Sequence, residues 1–129
     1  MMIIKRFEDI QAWQKARELT KLVYSLSNNA GFKRDFGLRD QIRTAATSVM
    51  ANIAEGFDAA TDAEFRRFLS YAKRSATEVQ SHGYTALDQD YISQPEFKRL
   101  YAQAEDAKGL IGGFTRYLRG ERRPRQSGG

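Results

Sequence analysis

Few residues in this chain are equipped for covalent, acid–base or metal chemistry. Among 129 residues there is no cysteine and one histidine, His82. Without cysteine there is no thiolate nucleophile, no zinc–thiolate site and no disulfide framework. Di-iron centres in helical bundles draw Glu-x-x-His pairs from facing helices. The nearest acid upstream of His82 is Glu78, four residues away instead of three, and one histidine cannot supply a second pair. Serine and aspartate are plentiful, so counting alone leaves a Ser-His-Asp triad open. No spacing brings His82 beside a nucleophile, however, and a lone helical histidine is more often solvated or satisfied in a core. Gly109, Gly112 and Gly113 lack the strand and lysine of a phosphate loop. Inside a helix they serve close approach of a neighbour or form a weak point. The chain therefore predicts no catalytic, metal or cofactor residue, and a protein that is not an enzyme.

Charged and polar groups are more suggestive. The Arg-x(4–6)-His spacing of helical ribonuclease toxins fails, because seven residues separate Arg74 from His82. On the same segment Arg66, Arg67, Lys73 and Arg74 span an arc of about 120° around Ser70 at about 100° per residue. Four cations with no intervening acid suit phosphate contact, although such a face is also an ordinary solvated surface. Arg39 and Arg43, one turn apart, extend this strip or form an intersubunit salt bridge. No aromatic residue interleaves with these cations as a stacking platform. Binding is thus expected to be backbone-directed, salt-sensitive and weak in sequence preference. A polar row of Gln41, Ser48, Asn52 and Glu55, with Ala45, falls within about 80° beside an apolar stripe. Its simpler reading is that Asn52 and Glu55 bond a neighbouring helix or cap a loop and so set register. A ligand or metal role lacks convergent histidines or further acids.

The elements that carry these residues are helices. Pro95 and Pro124 are the only prolines, so residues 1–94 contain no strong helix breaker. A first helix is predicted over about 9–28, ending in Asn28-Asn29-Ala30-Gly31. A second is predicted over about 37–55, stopping at Gly56 as a left-handed C′ residue. A third covers about 61–88 from a Thr61/Glu64 capping box, and a fourth about 94–118 from Ser93-Gln94-Pro95-Glu96. Apolar stripes run through Ala12, Ala16, Leu19, Val23 and Leu26, through Leu38, Ile42, Ala45, Val49 and Ile53, and through Phe65, Leu69, Ala72, Ala76 and Val79. The fourth stripe runs through Phe97, Tyr101, Ala104, Ala107, Ile111, Phe114 and Leu118. These steps of three and four are those of nearly antiparallel helices. No alternating β-rich segment competes. The fold class expected is all-α, an up-down-up-down antiparallel four-helix bundle forming one domain over 1–119, with a flexible basic tail over 120–129.

Net charge is +5, from 21 bases and 16 acids. Up to residue 115 the chain holds sixteen bases and fifteen acids, so the body is only +1 and the excess lies in Arg116, Arg119, Arg122, Arg123 and Arg125. The basic character is thus that of the C-terminal segment. No apolar run approaches the roughly 20 residues of a membrane span, and Met-Met-Ile-Ile-Lys-Arg does not have the form of a signal peptide. A cytoplasmic protein with no membrane association is expected. Eight Phe and six Tyr are many for four stripes to hide, with Trp13, Leu22, Tyr24, Phe32, Phe36 and Phe57 lying off them. Self-association would cover the surplus.

Three stretches carry a resemblance: Phe7-Glu8-Asp9-Ile10-Gln11-Ala12-Trp13-Gln14-Lys15-Ala16, Gly37-Leu38-Arg39-Asp40-Gln41-Ile42-Arg43-Thr44-Ala45-Ala46-Thr47-Ser48-Val49, and Ala51-Asn52-Ile53-Ala54-Glu55-Gly56. With Phe65-Arg66-Arg67-Phe68-Leu69 and Glu78, the sequence resembles, over about residues 6–118, the bacterial four-helix-bundle proteins encoded in intervening sequences of 23S rRNA genes. The accessory variability determinant proteins of diversity-generating retroelements share that fold. Thr44 stands where the family usually has arginine, and Arg74 where it has a small residue. The resemblance implies a ring-like homopentamer of largely unassigned activity. Through the retroelement relatives it also implies RNA or DNA, and a reverse transcriptase or other protein, as partners. Nucleic-acid contact is then expected through Arg66, Arg67, Lys73, Arg74, Arg39 and Arg43 and the tail residues Arg122, Arg123 and Arg125. The alternative is a protein-interaction scaffold without nucleic-acid affinity.

Overall fold

A computed structural model describes residues 4–121. After a 3-10 turn at Phe7–Asp9 come α1 (Gln11–Leu26), α2 (Ala30–Arg34), α3 (Phe36–Phe57), α4 (Asp62–Asp88) and α5 (Gln94–Arg116), closed by a π-helical turn at Tyr117–Glu121. No strand occurs among the described residues. The four long helices contact in the cyclic order α1, α3, α4, α5, so the protein is an all-α, antiparallel four-helix bundle. Gly120, at φ 89°, breaks the last turn.

Local chemistry sets the helix ends. Ser93 and Glu96 form a full capping box, the Ser93 hydroxyl accepting from the Glu96 amide at 3.2 Å while Glu96 accepts from the Ser93 amide at 2.8 Å. At α4 only half of the predicted box forms, with Thr61 accepting from the Glu64 amide at 3.1 Å. The α4 C-terminus is a Schellman turn: the Tyr91 amide donates to the Ala86 carbonyl at 2.9 Å and the Asp90 amide to Leu87 at 3.0 Å. Asp90 occupies its left-handed position at φ 61°.

The core has two clusters, one at each end of the bundle. Leu19, Val23, Phe32, Ile42, Val79 and Leu100 anchor one; Ile10, Val49, Ile53, Phe65, Leu69 and Ile111 anchor the other. Within the fourth stripe Tyr101 is 36% exposed and Leu100, at 1%, takes the inward place. Of the off-stripe aromatics, Phe32 is buried and Trp13 and Phe57 pack against the core.

Three expectations are corrected. The segment after α1 is not a plain loop: α1 ends at Leu26, and Ala30–Arg34 forms α2, which drives Phe32 into the core. The second predicted helix does not stop at Gly56, which stays helical and buried. Its lack of a Cβ serves contact, since a Cβ there would lie 2.6 Å from Phe65 Cδ1 and 3.0 Å from Phe68 Cβ. The glycines of α5 do not admit a neighbour. Gly109 faces open space, while Gly112 and Gly113 come near only Arg116 of their own helix.

Two polar fastenings join the elements. The Tyr91 hydroxyl donates to Asp35 Oδ2 at 3.0 Å while Asp35 Oδ1 caps α3 through the Leu38 amide at 3.2 Å. Asn29 Nδ2 donates to the Tyr91 carbonyl, and the Tyr91 ring stacks on Phe32 at 5.5 Å. Between α4 and α5 the buried Gln80 amide donates to Glu105 at 2.9 Å and to the Tyr101 carbonyl, and Gln80 Oε1 accepts from Lys108 at 3.1 Å. The Gln80 hydrogen bond, then the Lys108 charge, hold the Glu105 carboxyl below its ordinary value.

Gly56→Ala forces the Phe65 ring to move and should lower stability by about 1–3 kcal/mol in denaturant unfolding. Gly109→Ala, with nothing to strike, should raise it by about 0.5–1 kcal/mol. The hydrogen bond to Asp35, followed by desolvation and the Asp35 charge, raises the Tyr91 phenol above its ordinary value of 10.0. The fold thus favours the neutral phenol, a contribution complete below pH 10 and lost as pH climbs through the raised native value. Tyr91→Phe should be less stable than the parent at neutral pH, with the gap closing above pH 10 in thermal melts across a pH series.

Candidate nucleic-acid interface

The helix rotations decide where the cations stand. On α4 the predicted strip divides. Arg66 is half-buried and reaches the Leu118 carbonyl at 3.5 Å, and Lys73 sits near enough to Glu105 to act on its carboxyl, so both lean toward α5. Arg67 and Arg74 are exposed outward; Arg67 pairs loosely with Glu64 at 4.0 Å, and the Arg74 guanidinium lies 5.9 Å from the Tyr71 ring centroid. Arg122, Arg123 and Arg125 lie outside the described residues.

Arg39 and Arg43 do not extend this strip. They project from a different flank of α3, Arg43 into its seam with α1 and Arg39 over the start of α3 itself, because Gly56 turns another flank against Phe65 and Phe68 of α4. Arg43 Nε donates to Ser27 Oγ at 2.8 Å, and its guanidinium lies 4.5 Å from the centroid of Tyr24. Ser27 is fully buried, and its hydroxyl also reaches the Tyr24 carbonyl at 3.4 Å. Arg39 lies 4.9 Å over Phe36, donates to the Lys33 carbonyl at 3.2 Å and pairs with Asp40 at 3.0 Å. Farther along α1, Arg17 stands 5.8 Å over Trp13. Aromatic rings therefore do interleave with cations, contrary to the expectation from sequence. The Phe36/Arg39 and Tyr71/Arg74 pairs are visible there as i, i+3 neighbours, whereas Tyr24 meets Arg43 only through the packing of α1 on α3.

Charge in this seam is poorly balanced. Among the described residues, no carboxylate lies within ion-pair distance of Arg17, Lys21, Lys33, Arg34 or Arg43. Lys33 and Arg34 close α2 beside the Arg39 anchor. Glu18, the acid nearest Lys21 on α1, is held by Lys15 at 3.3 Å.

The remaining candidates form no reaction centre. The polar row does not bond to a neighbouring helix: Asn52 Nδ2 donates to the Ser48 carbonyl of its own helix at 2.9 Å. Glu55 and Gln41 are exposed, and Ser48 is half-buried. The register-setting buried polar group is Gln80, which apolar periodicity could not single out. His82 meets Glu78 at 3.3 Å and no nucleophile. Among the described residues no group of three His, Cys, Asp or Glu could hold a metal. A groove of about 360 Å³ between the N-terminal segment and α5 is lined mainly by Ile4, Ile10, Ala12, Leu110 and Phe114. No described helix is long and apolar enough to cross a membrane.

Residues 8–113 match the 23S rRNA-intervening sequence protein family. The chain belongs to that family. A crystal structure of a protein with unknown function from the S23 ribosomal protein family of Bacteroides thetaiotaomicron superposes with a TM-score of 0.74 at 21% identity, covering 81% of this chain and 97% of that one. At that identity the likeness concerns the fold. Among curated proteins none matches this sequence.

The two polar groups make a contrast that unfolding experiments can check. Asn52→Ala removes only a bond within its own helix and should change stability by less than about 0.5 kcal/mol, helix propensity offsetting the loss. Gln80→Leu strips partners from Glu105 and Lys108 and should cost about 1–2 kcal/mol.

Proposed function

We propose that this 23S rRNA-intervening sequence protein is a non-enzymatic, cytoplasmic homo-oligomer that binds nucleic-acid backbone. The observation that carries this reading is the un-neutralised cation set of the α1–α3 seam, where Arg17, Lys21, Lys33, Arg34 and Arg43 have no carboxylate in ion-pair range among the described residues. Such cations are free to replace the counterions of a phosphate chain, and the gain from counterion release is sequence-independent. Arg67 and Arg74 on the outer face of α4 supply a second, smaller surface, while Arg66 and Lys73 lean toward α5. The arginines of the C-terminal segment would add to either.

Assembly is supported by apolar surface that one subunit leaves uncovered. Tyr84, at 52% exposure, clusters with Phe97 and Tyr101, and the groove beside Ile4 and Phe114 is open. A pentamer, the state the family resemblance implies, would multiply each seam fivefold and raise avidity without any new contact. A scaffold that holds a protein partner, such as a reverse transcriptase, through these apolar surfaces is the second reading, favoured by the same exposed tyrosines.

Size-exclusion chromatography with light scattering should give a mass near five subunits. Binding of a labelled oligonucleotide by the same peak should weaken at least about tenfold between about 50 and 200 mM salt. Lys21→Glu combined with Lys33→Glu should weaken binding more than Arg67→Glu combined with Arg74→Glu. Retained complexes with no salt dependence would favour the protein scaffold.

A further inference from the structure

The α1–α3 seam offers more than charge. Tyr24 is 44% exposed and Phe36 64%, the latter the most exposed large apolar side chain among the described residues. Neither ring is needed to fill the core, and each carries a guanidinium on one face, Arg43 at 4.5 Å and Arg39 at 4.9 Å. Arg43 is fixed in that pose. Its Nε–H is held by Ser27, a fully buried residue whose hydroxyl also reaches the Tyr24 carbonyl, so ring and guanidinium share one anchor. No carboxylate neutralises Arg43, and its two terminal amino groups have no hydrogen-bond partner among the described residues. A rigid cation–aromatic stack with spare donors at its rim has a planar face for a base and an edge for a phosphate.

The stacks lie in line. Trp13, Arg17, Lys21 and Tyr24 share one stripe of α1 at about 100° per residue. Trp13 and Tyr24 are about 16 Å apart at a rise of about 1.5 Å per residue. Arg39 and Phe36 continue beyond Arg43 on α3, and Lys33 and Arg34 flank that end. Cations alternating with flat π-surfaces along one face match a strand whose bases are unpaired. A duplex keeps its bases inside the stack and can use only the charges.

We propose that the α1–α3 seam binds single-stranded nucleic acid by stacking unpaired bases on the Tyr24–Arg43 and Phe36–Arg39 platforms, with Arg43, Lys21, Lys33 and Arg34 holding the phosphates between them. This rests on the backbone-binding reading above and adds to it a preference for single strands over duplex, irrespective of sequence.

The test uses the full chain and fluorescence anisotropy at one salt concentration. The probes are a uridine RNA strand and a thymidine DNA strand of about 20 nucleotides, an abasic strand of the same length, and a duplex of that length. Either base-bearing strand should bind about tenfold or more tightly than the abasic strand. Tyr24→Leu with Phe36→Leu should cost about tenfold or more on base-bearing strands and leave the abasic strand and duplex unchanged. Both side chains are exposed, and a thermal melt verifies the fold. Arg43→Lys keeps the charge but removes the planar face, and should lose affinity for base-bearing strands alone. Equal affinity for abasic and base-bearing strands, or Leu variants indistinguishable from the parent, overturns stacking while backbone binding stands. No binding to any of the four probes removes the backbone reading, and stacking with it.

Discussion

The close approach of α3 and α4 is the constraint on which the other features depend. These helices make the most extensive contact in the bundle. Gly56 brings them together, with the Phe65 ring and the Phe68 Cβ occupying the space a side chain would need. Ala45, Ala72 and Ala76 are buried along the same pair. Once that flank of α3 lies against α4, its rotation is settled, and residues about 100–140° around the helix from Gly56, Arg39 and Arg43 among them, are turned away from α4. Arg43 is therefore delivered to the C-terminal end of α1, where Tyr24 and Ser27 receive it, while Arg39, one turn earlier, settles on Phe36 and the Lys33 carbonyl. A bulkier residue at position 56 would act on the seam as well as on the core, because one rotation governs both.

Apolar packing alone leaves the axial register of similar stripes loosely specified, and two polar fastenings remove that freedom. Gln80 is buried with both ends of its amide in use, which ties a single turn of α4 to Tyr101, Glu105 and Lys108 of α5. At the far end of the bundle Asp35 divides its carboxylate between the α3 N-terminus and Tyr91, and so couples the start of one helix to the connection between two others. The Schellman turn that presents Tyr91 forces Asp90 into a left-handed conformation, a local strain maintained by the contacts Tyr91 then makes. α2 exists within this arrangement: five residues are too few for a stable helix by themselves, but Phe32 is anchored in the core and stacked on Tyr91.

Electrostatics follow from the same geometry. The described part of the chain is close to neutral in composition, yet many of its cations stand out of ion-pair range of its carboxylates. Glu64 engages Arg67, Glu105 engages Lys108 and Asp40 engages Arg39, while Arg17, Lys21, Lys33, Arg34 and Arg43 about the α1–α3 seam, like Arg66, Lys73 and Arg74 of α4, have no described carboxylate in ion-pair range. A nearly neutral bundle thereby presents cations free of carboxylates along this seam, and at Arg43 the Tyr24 ring and the Ser27 hydroxyl take the place of the carboxylate that would otherwise orient it.

The all-α architecture and most of its core were legible in the residues. Steps of three and four place Ala16, Leu19, Val49, Ile53, Leu69, Ala72 and Ala76 inward, and all are buried. Ser93 with Glu96 announces the start of α5. These are local properties, set by side-chain spacing and by hydrogen bonds a few residues long. Membership of the 23S rRNA-intervening sequence family was legible in the same way, from contiguous stretches. What the residues could not disclose depends on rotation between helices. Gly56 reads as a helix stop until Phe65 is seen against it. Gln80 reads as one more polar residue until Glu105 and Lys108 close around it. Arg43 reads as an extension of the α4 strip or as half of an intersubunit salt bridge until α3 turns it onto Tyr24, nineteen positions earlier in the chain. A helical period names the face a residue occupies; which neighbour that face meets is decided only when the close-packed pair forms and the remaining helices pack around it.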